Sequence, residues 1–175
     1  MNTTENLSLP AGFDPASRVW IYQGHRAFSA DEAAEARQLL ASFTDGWNSH
    51  GHPVKGFADI YYNQFVVLLA DETQAGVSGC STDSSVQVIR QIQQQSGVRL
   101  FDRLNLAFLL DGHVRLVALA KLTAALQSGA VTGGSLYFNN TVQTKEELET
   151  AWLIPMKDSW LGPKYLRDSN PVAAK

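Results

Sequence analysis

The apolar positions along this chain follow two periods. Arg18-Val-Trp-Ile-Tyr-Gln23 is rich in aromatic and β-branched residues and predicts a first strand. From Ala36 the apolar residues Leu39, Leu40, Phe43 and Trp47 return every three or four positions, the spacing of one helix face. Ser29 with Glu32 three residues later forms a capping box, which starts that helix. Gly51 and Pro53 lie beyond its end. Phe57 to Tyr62 and Phe65 to Ala70 predict two strands joined at Asn63-Gln64. After a polar loop, the helix-capping residue types in Cys80 to Ser85 announce a second helix. Its buried face is Val86, Ile89 and Ile92, and Gly97 ends it.

Leu104 to Leu110 and His113 to Ala118 predict a second hairpin across Asp111-Gly112, a pair suited to the tight turn that matches strand twist. A short helix over Lys121 to Gln127 ends at Gly129, and Ser135 to Asn139 reads as another strand. Thr144 with Glu147 is a second capping box, opening a helix with Leu148, Ala151 and Trp152 that Pro155 stops. Hairpins separated by helices predict an α+β (α/β-type) fold: a single domain with a largely antiparallel or mixed sheet of about six strands and about four helices packed on it. Residues 1–17 are expected to form an irregular arm, 18–167 the globular domain and 168–175 a frayed tail.

Composition narrows the function classes. Apolar residues make up 45% of the 175 and charged ones 18%, which is a globular balance. A net charge of −3 gives no general attraction to nucleic acid or anionic membrane. The longest apolar run, Phe65 to Ala70, is far short of the roughly 20 residues of a membrane span. The polar N-terminus has no signal-peptide core, and a lone cysteine, Cys80, forms no internal disulfide. Together these predict a cytoplasmic protein.

Three fragments look like parts of an ATPase: Gly46 to Gly51 with phosphate-loop glycine spacing, Val66 to Glu72 as a strand ending in Asp71-Glu72, and Val77 to Ser81 as a signature-like loop. The chemistry fails. A phosphate loop needs Lys followed by Ser or Thr, and His52-Pro53 stand there. A helix precedes the loop where a strand is required.

The best candidate site is the start of the second helix. If it begins near Ser81 to Asp83, free N–H groups of its first turn face outward and can bind an anion, helped by the helix dipole. Cys80, Ser81, Asp83, Ser84 and Ser85 are the candidate ligand-binding residues. The same field favours the Cys80 thiolate, and His50 is a candidate partner for it. The bland alternatives are a capped helix start, an inert cysteine and a solvated His50–His52 loop. Asn139 and Asn140, at a strand end, are further candidate ligand contacts, with a turn or packing role as their alternative. One cysteine and no acidic cluster predict no metal site, and no cofactor is implied.

Arg18-Val-Trp-Ile-Tyr-Gln23, Trp47 with His50-Gly51, Gly79-Cys-Ser-Thr-Asp-Ser-Ser85, Leu100-Phe-Asp-Arg103, Phe138-Asn-Asn140 and Asp158-Ser-Trp160 together resemble a family of short bacterial proteins often labelled ABC transporter ATPase. The resemblance covers Arg18 to Trp160 and implies no catalytic residue. Leu161 stands where that pattern often has His, which argues against catalysis at that position. The expected function is therefore small anionic-ligand binding at Cys80 to Ser85, with a thiol-dependent enzyme as its sharper variant. The alternative is a protein-interaction or dimer-forming module, with Tyr22 and Trp160 as anchors.

Overall fold

The computed structural model describes residues 7–74, 76 and 79–166, and for 79–81 the backbone alone. The fold is α+β, with every strand pair antiparallel. The chain divides into two compact units. Within the described residues one comprises 7–102 and Val142–Glu149, the other Arg103–Thr141 and 150–166. No Gly-, Pro- or Ser-rich linker separates them, so the sequence reads as one continuous pattern.

In the first unit, β1 (Arg18–Gln23), β4 (Lys55–Tyr61) and β5 (Phe65–Asp71) form a three-stranded sheet in the order β1-β5-β4. Both neighbours of β5 are strands, and all seven of its residues are buried. That accounts for its unbroken apolar run, which alternation would have interrupted had one face met water. Helices α1 (Ala30–Gly46) and α2 (Gly79–Ser96) place Ala33, Ala36, Leu40, Val88, Ile89 and Ile92 in one core with Val66 and Leu68. The Ser29 capping box forms as expected: the Glu32 N–H donates to the Ser29 hydroxyl at 3.2 Å, and the Ser29 N–H to the Glu32 carboxylate at 2.8 Å.

The arm is irregular but held. Phe13 meets the Phe57 ring edge-on, and the Tyr61 hydroxyl donates to the Ser8 carbonyl. The backbone around Thr144 pairs with Arg18, which sets α4 (Lys145–Ala151) beside β1. The second capping box closes differently from the first. Glu147 donates its N–H to the Thr144 hydroxyl, but its carboxylate accepts from the Gln143 N–H.

Between α1 and β4 a two-residue hairpin, β2 (Asn48–Ser49) and β3 (His52–Pro53), carries no sequence signal long enough to be periodic.

In the second unit β6 (Asn105–Leu110), β7 (His113–Ala118), β8 (Leu136–Phe138) and β9 (Leu153–Pro155) form a sheet in the order β7-β6-β8-β9. Leu110 pairs with His113, and Asp111 and Gly112 between them both have positive φ, 51° and 76°. This is the tight hairpin that Asp-Gly predicts. Helices α3 (Leu122–Gln127) and α5 (Leu161–Tyr165) supply Leu122 and Leu161 to a core with Leu106, Phe108, Tyr137 and Met156. The described strands thus form three antiparallel sheets where the sequence suggested one sheet of about six strands. Pro155 ends a strand, β9, and α4 has already stopped at Ala151.

Candidate functional site

Helix α2 begins at Gly79, two or more residues earlier than the capping residues suggest. This changes the candidate site. Cys80 falls inside the first turn instead of just before it. The side chains of Cys80 and Ser81 lie outside the described residues. Asp83 sits in the second turn, exposed to solvent, and is not the cap. Ser85 is fully buried, and its hydroxyl donates to the Thr82 carbonyl at 2.6 Å. That bond to its own helix removes Ser85 as an outward donor. Ser84 remains exposed. The first turn carries no acidic side chain, so nothing there offsets the positive end of the dipole of this 18-residue helix.

His50 and Gly51 form the turn of the β2–β3 hairpin, with φ of 50° and 79°. His50 and His52 are exposed. Strand β2 adjoins α2, and the Ser49 hydroxyl donates to the Gly76 carbonyl at 2.7 Å. The hairpin therefore stands beside the segment that enters α2.

Asn139 and Asn140 belong to the second unit and are engaged within it. Asn139 Oδ1 accepts from the Thr141 hydroxyl at 2.6 Å, and its backbone N–H donates to the Trp152 carbonyl. Asn140 Oδ1 accepts from the Trp152 indole at 3.0 Å. The Asn139 backbone N–H and the Asn140 side-chain amide thus tie the end of β8 to Trp152, just after α4.

The ATPase-like fragments take unrelated structures. Gly46 is the last residue of α1, and Trp47 after it is buried. Asp71 is only 3% exposed, and its carboxylate is saturated by Thr73, Lys55 and the Asp14 N–H. Hydrogen bonds from the Thr73 hydroxyl, then from its N–H and from Lys55, outweigh burial and hold this carboxyl well below the usual range. Asp71 fastens the arm to the sheet. Among the described residues no group of three His, Cys, Asp or Glu is placed to hold a metal.

A different feature emerges from the register of the second sheet. Val114 pairs with Leu109, Leu109 with Leu136, and Leu136 with Pro155. These four form one apolar row across all four strands, on the face opposite the Phe108–Tyr137 core. Leu136 is 37% exposed, and Val114, Leu109 and Pro155 are half-buried. An antiparallel sheet with one open face normally carries polar residues there. The sequence does hold a signal for this. Leu106 to Leu110 is apolar without interruption, which marks a strand with two apolar faces, not one.

The edges of that sheet are guarded. Arg115 is an exposed charge on edge strand β7, and β9 is three residues long and ends in Pro155. Trp160 is 41% exposed and donates its indole N–H to the Tyr137 hydroxyl, so it borders the other face. Tyr22 packs edge-on against Phe101 and is half-buried.

These observations define an α+β protein built on antiparallel sheets, with no helix among the described residues long and apolar enough to cross a membrane. No family model, no curated protein and no solved structure matches the chain.

Proposed function

We propose that this chain is a cytoplasmic protein-interaction module without catalysis. Its docking face is the side of the β7-β6-β8-β9 sheet that carries Leu136, which is 37% exposed. The observation that carries the reading is the apolar row Val114–Leu109–Leu136–Pro155. A contiguous apolar strip that reaches solvent is characteristic of binding surfaces. The guarded edges favour a partner that lies on the face over one that adds a strand.

Charge indicates which partner. Among the described residues of this unit five are Lys or Arg, against the two acids Asp111 and Asp158. Arg115 pairs with Phe108 and so lies on the core face, while Lys157 stands two residues beyond the Pro155 end of the row. Two copies set face to face would bring together two units of net positive charge. The fitting occupant is a polypeptide whose apolar strip is bordered by acidic side chains. The family resemblance adds no residue role to this reading.

The test uses a labelled amphipathic peptide of Leu and Glu, its Leu/Lys counterpart and phosphatidylglycerol vesicles. Saturable, salt-sensitive binding of the Leu/Glu peptide is expected, weakened at least about tenfold by Leu136→Glu. Binding that Leu136→Glu leaves unchanged, or no preference for the acidic peptide, refutes it. Vesicle binding in place of peptide binding would make the partner a lipid surface.

A second reading rests on the acid-free first turn of α2: its backbone N–H groups bind an anion. Titration with inorganic phosphate, followed by the amide resonances of Cys80 to Asp83, decides it. Unmoved resonances remove it.

A further inference from the structure

His25 stands between β1 and α1 in an arrangement that depends on its protonation state. Its backbone N–H donates to the Arg99 carbonyl at 3.0 Å, and the Arg99 N–H donates to His25 Nδ1 at 2.9 Å. To accept that bond Nδ1 must be unprotonated, with the ring neutral. Arg99 belongs to a segment, 97–102, that leads from α2 into the second unit along the chain.

The segment is fastened residue by residue. The Gly97 N–H reaches the Gln93 carbonyl, the Val98 N–H the Ser96 hydroxyl and the Leu100 N–H the Gln93 side-chain oxygen. Arg26 adds a bond to the Ser96 carbonyl. The pins it thereby holds in the core are Val98, fully buried, and Leu100, 3% exposed. Of these fastenings the one at Arg99 uses a titratable acceptor.

We infer that His25 is a pH-sensitive latch: it holds the Arg99 segment closed while neutral and releases it on protonation. A proton on Nδ1 turns the acceptor into a donor facing another donor. The new charge also meets cations. Arg99 lies on the partner segment, and Arg26 is the next residue in the chain. Among the described residues, Asp102 provides the opposing charge. Partial burial, with Arg99 and Arg26 behind it, sets the His25 pKa below its usual 6.5. The latch is therefore closed at neutral pH and opens as pH falls below that value.

The experiment is amide hydrogen exchange of Arg99 in the intact protein from pH 7.5 to 5, corrected for the intrinsic rate. It is set beside the NMR titration of the His25 ring. Losing one hydrogen bond should lower the Arg99 protection about five- to tenfold. The midpoint of that loss should coincide with that of the ring. Arg99→Gln keeps the backbone N–H, removes a cation and should move both midpoints upward together. His25→Leu should leave Arg99 poorly protected at every pH. Protection that stays flat across this range, or a loss whose midpoint ignores Arg99→Gln, overturns the inference.

Discussion

Removing the Asp71 carboxylate tests whether the irregular arm is a built part of the first unit. Asp71 Oδ1 accepts from the Thr73 hydroxyl at 2.7 Å and the Thr73 N–H at 3.1 Å. Oδ2 accepts from Lys55 Nζ at 3.0 Å and the Asp14 N–H at 3.3 Å. Lys55 also donates to the Gly12 carbonyl and lies over the Phe13 ring, so one carboxylate and one ammonium hold 12–14. A hydrogen bond to a buried charge contributes about 1.5–3 kcal/mol. The four do not add, because Thr73 is exposed and 45% of the Lys55 side chain is open to water, where both rehydrate. Asp71→Ala should therefore cost about 2–4 kcal/mol, measured by urea unfolding. Asp71→Asn should cost less, because it keeps one acceptor for Thr73.

The pH dependence has a definite sign. The folded pKa of Asp71 lies below its ordinary 3.8, so its contribution is complete above that value and fades as pH falls below it. The difference between native protein and Asp71→Asn should be constant from pH 5 to 8 and shrink below about pH 4. Chymotrypsin should cleave after Phe13 sooner in Asp71→Ala. A midpoint within about 0.5 kcal/mol of the native protein, with unchanged cleavage, would show that the arm is not anchored by this group.

Ser29→Ala removes the α1 cap and should cost about 1 kcal/mol in thermal or urea unfolding; an unshifted midpoint would discount the capping box. Asp83→Ala should leave stability within about 0.5 kcal/mol, because Asp83 is an exposed second-turn residue; a loss near 1 kcal/mol would return it to the cap. Calorimetry with MgATP should show no saturable micromolar binding, since Asp71 is occupied and His52-Pro53 replace the phosphate-contacting pair; such binding would reinstate the nucleotide reading.

The features legible in the sequence are those that close over a few residues. Ser29 and Glu32 satisfy each other three positions apart, and Asp111-Gly112 fixes its own turn, so neither needs distant partners. The start of α2 is different. Ser78, Ser81, Thr82 and Asp83 are all competent caps, and which one the helix adopts depends on packing that no local pattern records. The same limit explains Asn139 and Asn140. Their composition suits a ligand or a turn equally, and the Trp152 indole that occupies Asn140 is twelve residues away. Strands β2, β3 and β9 and helix α5 are two to five residues long, too short to show a period.

Strands β5 and β6 carry the clearest lesson. Both read as unbroken apolar runs, and both are flanked by strands on each side. In β5 the signal means what it usually means, two covered faces, and no residue from Phe65 to Asp71 is open to solvent. In β6 the interior residues Leu106, Ala107 and Phe108 are buried, while Leu109 and Leu110 remain half-open. Composition is thus set for two covered faces, and the half-open residues lie at the hairpin end of the strand, Leu109 on one face and Leu110 on the other, while Ala107 on the Leu109 face is fully buried. A run of apolar residues records the burial a strand is suited to, whatever supplies it. The shortfall at Leu109, continued across the sheet by Val114, Leu136 and Pro155, is the physical reason to look for a second molecule there.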